Sequence, residues 1–300
     1  MQNNINVRRI PENGSFMNEI RFIDRSFDQT AAGNYSLSIQ VNYRGLAYCI
    51  ADEGAKNFIY FRKLRFTQVV LISDLIKEID KILETDEILK LPYHHVRFMG
   101  YTQQSTLVPE SYYSNASLSE YLKFNFSGDT DNVLFNNLIS AAGLHNVFAL
   151  PEELVTIITS HFKKVEFMNQ TTPFIRHIAN LPGSFGKPGV FIGLNPDFFD
   201  IACVADGGLK LYNTFQYTSE NDLLYYTIYV FEKMGFDTLK TPLMVSGEFC
   251  SKQNYFEVLK QYLPETGFDV VNGVPILAPG LQQVNTSRFL NLFNLQMCGS

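Results

Sequence analysis

The sequence predicts an α/β protein of two similar lobes, each a three-stranded meander followed by alternating helices and strands. Three observations carry this. From Tyr35 to Phe61 apolar and polar residues alternate with the period of a strand, and from Ile72 the apolar spacing becomes that of a helix. The same succession returns from Gly189. Cys49-Ile50-Ala51-Asp52-Glu53-Gly54 also matches Cys203-Val204-Ala205-Asp206-Gly207-Gly208 at a constant offset of 154 residues. Together with the shared order of elements, that match favours an internal duplication.

The elements follow in order. Leu37, Ile39 and Val41 alternate with Ser36, Ser38 and Gln40, as on a strand buried on one face. Asn42-Tyr43-Arg44-Gly45 turns, Leu46–Ala51 returns, Asp52-Glu53-Gly54 turns again, and Phe58–Phe61 is the third strand. Ile72, Leu75, Ile76, Ile79, Ile82 and Leu83 share one helical face, and a strand follows at Val96–Met99. Between the halves, Asn132–Leu138 and Lys164–Met168 read as strands. Pro151 suits the first position of a helix through Leu154, Ile157 and Ile158, and Thr172-Pro173 opens a short helix ending before Pro182.

In the second half, Val190–Leu194, Phe198–Val204 and Leu209–Phe215 are strands joined by turns at Asn195-Pro196-Asp197 and Asp206-Gly207-Gly208. Ser219 with Asp222 resembles a capping box, opening a helix that Gly235 can end. Leu243–Ser246 is a strand, and Tyr255, Phe256, Leu259 and Leu263 mark a further helix. The stretch from Pro182 to Gly189 is rich in residues that break regular structure. It divides a first lobe, residues 1–182 with an irregular N-terminal arm, from a second lobe, residues 183–300 with a C-terminal tail. The apolar tail Phe289–Met297 is either a helix packing back on the first lobe or an interface.

Composition narrows the function. A net charge of −6 argues against nucleic acid as partner, because neutralising phosphates needs clustered Lys and Arg. The two arginines near the start are followed by no apolar stretch, and no run approaches the roughly 18 apolar residues of a membrane span. The four cysteines are widely separated and form no C-x-x-C pair, which suits reduced thiols in a cytoplasmic protein.

Several chemistries lack their residues. Gly186-Lys187 is not a phosphate loop, since the first glycine is misplaced and Pro188 stands where Ser or Thr would hold magnesium. His94 and His95, adjacent on a strand, would face opposite sides and not readily share a metal, so no metal site is expected. Val245-Ser246-Gly247 is not a nucleophile elbow, because the glycine two residues before the serine is missing. Gly247 is more suggestive. It ends an apolar strand, where a missing side chain lets a ligand approach the backbone, although an ordinary turn needs glycine too.

The duplicated β-β-β-α-β-α plan with tight first hairpins resembles the actin-like ATPase superfamily, which has a ribonuclease H-like fold. The pattern is most like pilus-platform proteins of the PilM kind and an uncharacterised bacterial family assigned that fold. Ser140-Ala141-Ala142-Gly143-Leu144 with Ala149-Leu150-Pro151-Glu152 is similar to the segment joining the two lobes in pilus-type members. Val245-Ser246-Gly247 is similar to the superfamily's adenosine-side S-G-G turn, with Glu248 at the second glycine. The resemblance implies a nucleotide cleft lined by Asn42, Arg44, Asn195, Asp197, Ser246 and Gly247.

The departures imply that hydrolysis is lost. Active members carry an acid in each phosphate hairpin, whose carboxylate orients magnesium and water. The first hairpin here has no acid, and Gly193 stands where the second should have one. Pro196 has no N–H to offer a phosphate. The expectation is a cytoplasmic, non-hydrolysing scaffold without a cofactor, ATP being the one candidate. It would bind another protein, a membrane-anchored partner or a second copy of itself, and would not insert into the membrane. The alternatives are an ATPase or kinase-like enzyme whose acids, Asp197 or Asp200, are displaced, and an α/β protein of another topology.

Overall fold

The structure, a computed structural model, describes residues 16–66, 71–126, 132–183, 185–248, 254–270 and 276–296. The first lobe opens with β1 (Phe16–Ile23), β2 (Tyr35–Asn42), β3 (Gly45–Asp52) and β4 (Asn57–Phe66). Helix α1 (Ile72–Thr85) and β5 (His95–Gly100) follow. An excursion then builds β6 (Ser105–Pro109), α2 (Leu118–Asn125), β7 (Asn132–Ile139) and β8 (Leu144–Pro151) into a small antiparallel sheet of order β6-β8-β7. Helix α3 (Glu152–His161) returns the chain to β9 (Glu166–Asn169), and α4 (Thr171–Asn180) leads out of the lobe.

The second lobe comprises β10 (Gly189–Leu194), β11 (Phe198–Ala205), β12 (Gly208–Gln216), α5 (Glu220–Met234), β13 (Leu243–Gly247), α6 (Tyr255–Tyr262) and β14 (Thr266–Phe268). Its sheet runs β12-β11-β10-β13-β14, and the first sheet runs β4-β3-β2-β5-β9 with β1 added outside β4. Apart from β1, both thus run in the order third, second, first, fourth and fifth strand. In both, the meander is antiparallel and the later strands parallel.

Local chemistry explains the boundaries. Helix α1 buries Leu75, Ile76, Ile79, Ile82 and Leu83, one turn apart along one face. The Ser219–Asp222 capping box opens α5, and Gly235 closes it at φ +67°. Pro151 precedes α3 as its N-cap instead of occupying the first helical position.

The last segment crosses back. Strand β15 (Ile276–Leu277) pairs in parallel with the start of β4, and α7 (Leu290–Leu295) packs over β2 and β3. Of the two readings of the tail, packing on the first lobe is the one observed. Phe293 is fully buried, its ring edge-on to Phe58 at 4.8 Å, with Leu292 and Leu295 beside it. Burying one such phenylalanine contributes about 1.5–3 kcal/mol.

Three expectations change. Strand β2 is buried on both faces, because the tail covers the side carrying Ser36, Ser38 and Gln40. Phe16–Ile23, expected within an irregular arm, is a strand whose Ile20 and Phe22 pack under the tail. The stretch from Ser140 to Glu152 does not join the lobes. It holds a 3-10 turn, the central strand of the small sheet and the start of α3, and the chain passes between lobes after α4. Among the described residues no helix is long and apolar enough to cross a membrane.

Candidate functional site

The β2–β3 hairpin is tight: Asn42 pairs with Gly45 across Tyr43 and Arg44, and Asn42 Oδ1 accepts the Arg44 N–H at 2.9 Å. Gly45 is required there, since a Cβ would strike the Leu64 carbonyl of β4. In the β10–β11 hairpin Asn195 N–H donates to the Phe198 carbonyl at 2.9 Å. The two tips meet. Arg44 Nη2 lies 3.3 Å from Asp197 Oδ1 and 3.4 Å from the Pro196 carbonyl oxygen.

Strand β13 supplies the third element, pairing Gly193 with Ser246 and Leu194 with Gly247. Ser246 Oγ donates to the Ile192 carbonyl at 3.3 Å. Gly247 has φ +100°, and a Cβ there would lie 2.7 Å from Leu194 N and collide with the Leu194 carbonyl oxygen. Its N–H is taken by the Ser287 carbonyl at 2.9 Å, and Glu248 N–H donates to Leu194 O at 3.0 Å. The Glu248 side chain pairs with Lys63 of β4, with Arg288 3.8 Å away. Lys63 also lies over the Phe289 ring at 5.1 Å. Burial, then Arg288 and Arg65, push the Lys63 pKa below the ordinary lysine value, and the touching Glu248 carboxylate makes a charge there tolerable.

Asp200 lies beside this site, across Gly193 from Ser246. It is buried in β11, accepting from Tyr212 Oη at 2.7 Å, Thr214 Oγ1 at 2.8 Å and Asn195 Nδ2 at 3.0 Å. Burial raises its pKa to about 6 against the hydrogen bonds that lower it. The native state therefore holds this proton more tightly than the unfolded chain. Stability falls as pH rises from about 4 to about 6 and then levels. Asp200→Asn is expected to remove roughly 2–3 kcal/mol of that slope, read as the difference in urea stability between pH 4.5 and pH 7 in the two proteins.

A cleft of about 420 Å³ opens elsewhere, between the edge strands β6 and β12. Ser105, Thr106 and Leu107 line one side, Leu209, Leu211, Tyr212 and Thr214 the other. None of the six residues nominated from sequence lines it. Asn42, Arg44 and Asp197 come together at the hairpin tips, while Asn195 turns inward to Asp200. Ser246 and Gly247 lie against β10 at the sheet end. Lys63, Ser287 and Arg288 escaped sequence reasoning, because only the tertiary return of the tail brings them to Glu248 and Gly247.

A family model described as a protein of unknown function, DUF3822, matches residues 24–266. The chain belongs to this family. The architecture of this DUF3822 protein is the actin-like ATPase fold. It superposes on a Bacteroides thetaiotaomicron VPI-5482 protein with actin-like ATPase fold and unknown function at TM-score 0.76 and 18% identity, covering 91% of this chain and 99% of the other. A PilM–PilN type IV pilus biogenesis complex is similar at TM-score 0.56 and 10% identity, covering 87% of this chain and 97% of that one. No curated protein matches the DUF3822 chain in sequence.

Proposed function

We propose that this DUF3822 protein is a non-hydrolysing member of the actin-like fold that serves as a scaffold for another protein. One observation carries the reading: the hairpin tips and the end of β13, where the resemblance places a nucleotide, are satisfied by the chain itself. Arg44 neutralises Asp197 across the hairpins, the Gly247 N–H is held by Ser287, and Glu248 is paired with Lys63. Asp200, the other carboxylate a displaced mechanism would use, is enclosed by three donors. Asn42, Arg44, Asn195, Asp197, Ser246 and Gly247 are then remnants of a nucleotide cleft, and neither cofactor nor metal is needed there.

The common strand order of the lobes and the matched stretches at Cys49 and Cys203 support descent from a duplicated unit. Buried, unpaired Cys49 and Cys203 suit a reducing, cytoplasmic setting. For the partner, the likeness to PilM in a PilM–PilN complex favours another protein, and the reading adopted is an extended segment of a membrane-anchored one. The cleft between β6 and β12 suits such a segment, since each flanking strand has one side unpaired within its sheet.

The test is a thermal-shift titration with ATP and ADP, with and without magnesium. No shift at millimolar nucleotide is expected, because only a ligand bound to the native state raises the melting temperature. A saturable, magnesium-dependent shift would overturn the proposal. The scaffold role is checked by affinity capture with wild type and with Leu107→Arg. A stoichiometric partner lost in the variant supports it, and recovery of no partner counts against it.

A further inference from the structure

At the opposite end of the first sheet from the β2–β3 hairpin tip, three exposed side chains converge. One ring nitrogen each of His94 and His95 and one carboxylate oxygen of Glu53 lie within 4.8 Å of one another. Adjacent histidines on a strand would diverge, but β5 begins only at His95. His94 sits in the bend before it, its N–H held by the Tyr35 carbonyl at 2.9 Å. Both rings therefore fall on one side, in contact edge-to-face with centroids 4.2 Å apart. The β3–β4 turn brings Glu53 to them.

We propose that Glu53, His94 and His95 bind a borderline divalent transition-metal ion, zinc being the physiological choice. Two imidazoles and one carboxylate are the donor set such ions prefer, whereas magnesium and calcium favour all-oxygen shells. Ligands about 2.0–2.2 Å from a tetrahedral ion stand some 3–3.5 Å apart, so these atoms must close by about an ångström. Exposed side chains make that adjustment by rotation alone, and a fourth position is left for water.

A supporting shell is in place. Glu53 Oε1 accepts from Ser36 Oγ and from Gln296 Nε2 at 3.5 Å, which orients the carboxylate and leaves its second oxygen for the ion. Gln296 Oε1 in turn accepts from Arg97 Nη1 at 3.2 Å, and Arg97 Nε faces Glu166 at 3.4 Å. A bound ion would pin the β3–β4 turn to the start of β5 and, through Gln296, to the end of α7.

The experiment uses the full chain, free of any affinity tag and stripped with chelator. Cobalt(II) is titrated as a spectroscopic probe, and zinc(II) then competes it off. The expected result is one saturable site with nitrogen–oxygen ligation, its affinity reduced at least about tenfold in each of His94→Ala, His95→Ala and Glu53→Gln. Melting temperatures of the two histidine variants in chelator should equal wild type, because both side chains are exposed, and Glu53→Gln, which keeps an acceptor for Ser36, should fall only slightly below it. Zinc should raise the melting temperature of wild type alone. Unchanged affinity in the His94→Ala/His95→Ala double variant, a thiolate charge-transfer spectrum, or no saturable uptake would each overturn the proposal.

Discussion

Gly247→Ala should destabilise the protein by roughly 3–5 kcal/mol, the sum of a backbone conformation unsuited to alanine and a methyl group driven into a neighbouring strand. The added carbon collides with the Leu194 carbonyl oxygen, and only separation of β10 from β13 relieves it. Gly235→Ala is the control. It shares a positive φ, +67°, but nothing lies within 4 Å of its Cβ, so strain alone acts there, about 1 kcal/mol. Urea denaturation of both variants measures the difference. Equal losses would mean that the approach of Gly247 to Leu194 is unimportant.

Glu248→Gln should cost a similar amount, about 3–5 kcal/mol, by leaving the buried Lys63 ammonium without its counter-charge. The loss has a pH signature. With Lys63 pushed down in the native state and ordinary in the unfolded chain, the unfolded state holds the extra proton. Removing the carboxylate lowers the native Lys63 pKa further, so the deficit is full where Lys63 is charged in both proteins and fades as pH rises through the wild-type value. It should be greater at about pH 6 than at about pH 9. Lys63→Met combined with Glu248→Leu should recover most of the loss, since an apolar pair needs no compensation. A deficit independent of pH would show that Lys63 is not the group being stranded.

Both predictions concern contacts that local pattern could not announce. Alternation from Tyr35 to Phe61 and from Gly189 to Phe215 was legible, because each meander repeats the two-residue period beside tight turns. The capping box at Ser219 and the stop at Gly235 were legible because capping is decided within four residues. Strand β8 was not, since Gly143 and Pro151 punctuate a short apolar run that reads equally well as a linker. Nor was the meeting of the two hairpin tips. The hairpin acids were visibly absent from the sequence, but Arg44 and Asp197 lie 153 residues apart, and their pairing depends on how two lobes face each other. Nor is the contact of His94 with His95 legible, since the strand that would part them begins only at His95.

The return of residues 276–296 to the first sheet also orders events during synthesis. A chain emerges from the ribosome at about 5–20 residues per second, and its earlier portions can fold first. Here β2, β3 and β4 emerge early with one face bare, and the Phe293 ring that seals it belongs to the turns of α7, which are made only after the second lobe. Until those turns arrive, Ala47, Cys49, Phe58 and Phe61 present a sticky apolar surface to the cell. A nascent chain halted after the second lobe would therefore hold two sheets and no finished first domain, the state in which chaperone binding and aggregation compete with folding.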